Sequence, residues 1–105
     1  MAEFPVRAVR ARCPSHPGVL MHETLSDHLC LSVADAARRM GVSRQALHNV
    51  LAGRTSATAT MALRFSALAG GTPELLLRMR HAHDSWQARA ALGPALGAIE
   101  PARAA

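Results

Sequence analysis

The chain has 105 residues, 50% hydrophobic and 18% charged, which suits one small domain with a single core and excludes two. Cys13 and Cys30 are too few for a disulfide framework, and no stretch approaches the ~20 apolar residues that a membrane helix needs. Twelve basic residues face seven acidic ones, for a net charge of +5, and every basic residue is Arg. Between Asp35 and Glu74 lie Arg38, Arg39, Arg44, Arg54 and Arg64 without a single carboxylate. Such a stretch is the footprint of a polyanion partner, although charge alone leaves an ordinary solvated face equally open. No continuous apolar segment follows Met1, so a secretory leader is not expected and the cytoplasm is the expected location.

Taken in chain order, residues 1–15 carry Arg and Pro without periodicity and read as an extended arm. A first helix is predicted to open at Pro17, a residue suited to the first turn, and to run to about Leu29. Its apolar side is Leu20, Met21, Leu25 and Leu29. A second helix follows the cap residue Ser32, with Asp35 in its first turn, and is expected to bury Val33, Ala36, Ala37 and Met40. Gly41 stops it by taking a left-handed conformation. Ser43 caps a third helix in which Leu47, Val50 and Leu51 repeat at helical spacing, ending at Gly53. Thr58 caps a fourth, with Met61, Phe65, Leu68 and Ala69 facing inward before Gly70 and Gly71. Thr72-Pro73-Glu74 launches a fifth, whose Leu75, Leu76, Met79, Ala82 and Trp86 form a broad apolar stripe. Residues 90–105 are low in complexity and broken by Gly and Pro, and read as a tail without structure. β-branched runs of period two are absent from the sequence, so the expected fold is all-α.

Residues 33–53 carry the chemistry. Two short helices meet there across Gly41, Val42 and Ser43, a three-residue turn containing Gly, which is the helix-turn-helix arrangement. Ala37 is small where the helices must cross, and Val42, Leu47 and Val50 plug the wedge between them. Once that wedge is buried, Arg44, Gln45, His48 and Asn49 must point outward, with Ser43 at the tip. Arg can bond guanine O6 and N7, and Gln or Asn can bond adenine N6 and N7, each in bidentate fashion. A recognition helix offers its N-terminal residues to the major groove, where this set lies. A merely solvated face normally mixes Glu with Lys, and this one has no acid. Arg54, just past the helix, suits a backbone phosphate, while Arg38 and Arg39 suit either phosphates or a protein partner.

Other chemistries find less support. Cys13-x2-His16 is half of a zinc motif whose second half is missing at ligand spacing, and His81 and His83 diverge by roughly 200° on one helix, so no metal is expected. No nucleophile stands with a base and an orienting acid in any recognisable motif, so an enzyme is not expected, nor a cofactor. Trp86, a lone aromatic in a helical stripe, reads as core or dimer interface.

The sequence resembles the HigA-type antitoxins of the Cro/C1-like (XRE) helix-turn-helix group over residues 14–89. The resemblance rests on His16-Pro17-Gly18, the run Leu31-Ser32-Val33 through Ala46-Leu47, Leu51-Ala52-Gly53-Arg54, Met61-Ala62-Leu63-Arg64 and Asp84-Ser85-Trp86-Gln87-Ala88-Arg89. It implies a five-helix lambda-repressor-like domain over 16–89, with a flexible arm at 1–15 and a tail at 90–105. It implies a homodimer on an inverted-repeat operator in double-stranded DNA, read by Ser43, Arg44, Gln45 and Asn49 with His48 and Arg54 beside them. It also implies a small HigB-type partner, a RelE-like mRNA-cleaving toxin. The other reading is a solitary helix-turn-helix regulator with no partner except itself. This chain departs from the pattern at Cys30, where a helix-ending Gly is usual, at a cost of ~1 kcal/mol for a left-handed residue. It departs again at Ala59-Thr60, Leu76, Arg80 and His83.

Overall fold

A computed structural model describes residues 12–102 of the chain. Most of the arm expected at 1–15, with Arg7 and Arg10, lies outside the described residues, as does the end of the tail. The described elements are α1 (Pro17–Glu23), continued by a π-helical segment (Thr24–Leu29), α2 (Val33–Met40), α3 (Arg44–Leu51), α4 (Ala59–Ala69), α5 (Glu74–Leu92) and α6 (Pro94–Gly97). No strand occurs among the described residues. The fold is all-α, and all five predicted helices form.

Each of the first four helices begins at a side-chain cap. The Nδ1 of His16 accepts the Gly18 N–H at 2.8 Å, Ser32 Oγ accepts from Asp35 N at 3.1 Å, and Ser43 Oγ accepts from Ala46 N at 3.0 Å. Thr58 Oγ1 caps α4 through Met61 N at 3.1 Å. These bonds satisfy amide groups that a helix start otherwise leaves without partners. At the end of α2, Gly41 takes φ +75°. The Val42 N–H then closes onto the Ala37 carbonyl at 3.0 Å, a reversal that sets the angle between α2 and α3.

One core holds the domain together. Met21 and Leu25 enter from the first helix, Ala36, Ala37 and Met40 from α2, Leu47 and Val50 from α3, Met61, Ala62 and Phe65 from α4, and Leu76 from α5. Burial of each large apolar side chain contributes ~1.5–3 kcal/mol. Val33 and Val42, predicted inside, pack against this core half-buried. At Gly18 the first helix runs backbone to backbone against the end of α3. A Cβ there would collide with the Val50 carbonyl oxygen and crowd the Leu51 Cα. Only glycine permits that approach.

Two expectations need correction. The first helix does not stay α to Leu29, because its last six residues wind as a π-helix. Thr24 Oγ1 donates to the Leu20 carbonyl at 2.8 Å and Ser26 Oγ to the His22 carbonyl at 3.0 Å. Hydroxyls bonded to the carbonyl four residues back compete with the α ladder and loosen it. The apolar stripe of the fifth helix is mostly half-buried: of its residues Leu76 alone is fully inside, and Leu75 is 48% exposed. Second, the region from residue 90 is not without structure. The helix continues through Ala90, Ala91 and Leu92, all good helix formers, and Pro94 starts one further turn after Gly93.

Candidate nucleic-acid interface

The α2–α3 pair fixes which side of α3 faces out. With Leu47 and Val50 buried, Arg44, Gln45 and His48 are exposed and Asn49 is partly so. Gln45 Nε2 donates to Asn49 Oδ1 at 2.9 Å, one turn along the same face. That bond leaves the Asn49 amide protons and the Gln45 carbonyl free, the complementary pair that an adenine edge accepts. Ser43 caps the helix, yet its hydroxyl still has a proton to donate.

Arg54 sits where α3 ends. Its N–H closes onto the Asn49 carbonyl at 2.8 Å, and the Gly53 N–H onto that of Val50 at 3.0 Å. Together they make the paired reversal that satisfies the last carbonyls of a helix. The Arg54 side chain is left exposed at the C-terminal end of the same helix.

The two arginines of α2 are not part of this set. Arg38 pairs with Asp35 at 3.4 Å, but the side chains are 72% and 56% exposed, so the pair holds Arg38 weakly. Arg39 lines a groove with Met40, Arg64, Ala67 and Leu68, between α2 and α4. Cys13 and His83 do meet, Sγ to Nδ1 at 3.4 Å, but His83 Nδ1 is also bonded to the Pro14 carbonyl at 2.8 Å. No group of three metal-ligating side chains collects among the described residues.

Sequence reasoning missed two supports of the interface. Arg64 Nη1 donates to the Met40 carbonyl at 2.8 Å, closing the C-terminus of α2 beside the turn. The loop after α3 is pinned to α5 through Ser56 Oγ, which bonds Asp84 Oδ2 at 3.0 Å and accepts from Arg80 Nε at 3.0 Å. The lack of acid around Arg64 was the only sequence signal for the first, and the second left none.

No family model matches the chain. Among curated relatives, it is 31% identical over 78 residues to antitoxin HigA-1 of Vibrio cholerae, covering 74% of this chain and 73% of that protein. This chain belongs to the HigA family of antitoxins. The antitoxin is also 33% identical over 76 residues to virulence-associated protein A′ of Dichelobacter nodosus, spanning 71% of this chain and 65% of that relative's length. Among solved structures, it resembles antitoxin GraA in complex with its operator, at 31% identity and a TM-score of 0.76, over 91% of this chain and 98% of the other. Two of these three relatives are antitoxins by name, one of them bound to its operator. No helix among the described residues is long and apolar enough to cross a membrane.

Proposed function

We propose that this antitoxin represses its own operon from the cytoplasm by placing α3 of two copies in successive major grooves, ~34 Å apart, on an inverted-repeat operator. Arg44, Gln45, His48 and Asn49 read base edges, with Ser43 at the tip of the helix. Arg54 contacts a backbone phosphate, and Arg38 and Arg39 contact phosphates or the protein partner. The observation that carries this reading is the outward face of α3, which presents these four side chains with no carboxylate among them. Operator binding by the GraA relative supports it.

The same chain neutralises a RelE-like mRNA-cleaving toxin, as its family membership suggests. The homodimer uses the face of α5 carrying Leu75, Met79, Ala82 and Trp86, which the monomer leaves incompletely covered. Residues 16–89 form the working domain. Purification of the tagged protein from its native operon tests the whole reading. A stoichiometric basic partner of ~10–13 kDa whose release stops growth is the expected outcome. Recovery of homodimer and operator DNA alone would instead make the chain a solitary repressor.

A further inference from the structure

The His16 imidazole ties the start of the first helix to the backbone of Thr55, 39 residues further along the chain. Its Nδ1 accepts the Gly18 N–H at 2.8 Å, and its Nε2 lies 2.8 Å from the Thr55 carbonyl oxygen. A peptide N–H can only donate and a carbonyl can only accept, so the partners dictate the tautomer. Nδ1 is bare, and Nε2 carries the proton. The ring edge of His83 packs against this imidazole, centroids 5.1 Å apart at 78°. His83 is itself tied to the Pro14 carbonyl, so α5 holds the plane of the His16 ring.

Thr55 directly follows Arg54. The peptide entering Arg54 is fixed by its N–H on Asn49, and the Thr55 carbonyl that follows is fixed by His16. An exposed arginine on a loose loop would have to be ordered when DNA binds, at a cost in conformational entropy. A loop anchored on both sides has met that cost in advance.

We infer that His16, beyond capping α1, is a positioning residue for DNA binding, holding the Arg54 loop ready through its Nε2–H bond to Thr55. The inference rests on the reading of Arg54 as a phosphate contact, and two amide substitutions separate the roles of the ring. Asn at 16 offers an oxygen close to where Nδ1 stands, which preserves the cap, but it cannot reach Thr55. Gln offers an N–H close to where Nε2 stands, which preserves the reach and loses the cap.

The experiment measures operator affinity across a salt series, with unfolding midpoints, for wild type, His16→Asn, His16→Gln, Arg54→Ala and the double variant His16→Asn/Arg54→Ala. Arg54→Ala is expected to flatten the salt slope by ~0.9. His16→Asn is expected to keep a near-wild-type unfolding midpoint while weakening operator binding about fivefold. The double variant is expected to bind no worse than Arg54→Ala alone, because the two act through one contact. His16→Gln should unfold more easily yet keep the wild-type slope. If Arg54→Ala flattens the slope while His16→Asn binds like wild type, His16 is a helix cap only; if the two losses add, it acts apart from Arg54; either outcome overturns the inference. If Arg54→Ala leaves the slope untouched, the phosphate reading fails and takes the inference with it.

Discussion

The pair α2–α3 and the helix α5 are built on opposite plans. Each helix of the pair has eight residues, a serine cap at its start and a reversal at its end, and buries two or three side chains in the shared core. Helix α5 has nineteen residues, no side-chain cap at Pro73, and only Leu76 fully buried. Polar ties at its middle, Asp84 and Arg80 to Ser56 and His83 to Pro14, add to the packing of Leu76 and Leu77. The pair is therefore shaped by its own residues and by a core within the chain. The long helix keeps much of its apolar stripe within reach of solvent.

The sharpest test of that contrast is in the core of the pair. Leu47 is fully buried, and Leu47→Ala should destabilise the domain by about 3 kcal/mol in denaturant unfolding, through lost burial and the cavity left behind. A loss below 1 kcal/mol would mean that the pair is not held as described. On its outward face, Arg44→Ala should leave unfolding unchanged. It should weaken specific operator binding by about 2 kcal/mol and relax preference at one base pair in a competition assay. Unaltered preference would remove Arg44 as a reader. For α5 the expected balance is reversed: Trp86→Ala should raise the dimer dissociation constant about tenfold in sedimentation while the monomer stays folded. Loss of the fold instead would show that α5 belongs to the core after all. The smallest effect is expected at Cys30, an exposed residue held at φ +52°. Cys30→Gly should stabilise the domain by about 1 kcal/mol by removing left-handed strain.

The same division explains what could be read in the sequence. Caps, the Gly41 turn and the Leu47–Val50 spacing are encoded within a few residues of one another, so the helix-turn-helix and its outward side chains were legible. Cys30 could be flagged because the resemblance supplied the glycine it replaces. The π-helical winding was not legible, since it arises from hydroxyl bonds at Thr24 and Ser26 that helical periodicity does not register. Nor were the ties of His16 to Thr55 and Ser56 to Asp84, which join residues 39 and 28 positions apart. The end of α5 was not legible because Gly93 and Pro94 mark a break in the sequence, while Ala90, Ala91 and Leu92 just before them carry the helix on.

The backbone contact at Gly18 reaches beyond stability. With α1 pressed directly onto the carbonyl of Val50, the rear end of α3 is fitted to main chain, whose shape is the same whatever side chains α3 carries in front. Residues 44, 45, 48 and 49 can therefore be exchanged without refitting the scaffold behind them. On the reading proposed for α3, a duplicated copy of the gene could drift to a new operator through a handful of codon changes and stop competing with its parent. Insulation between sister operons within one genome would then cost the protein very little.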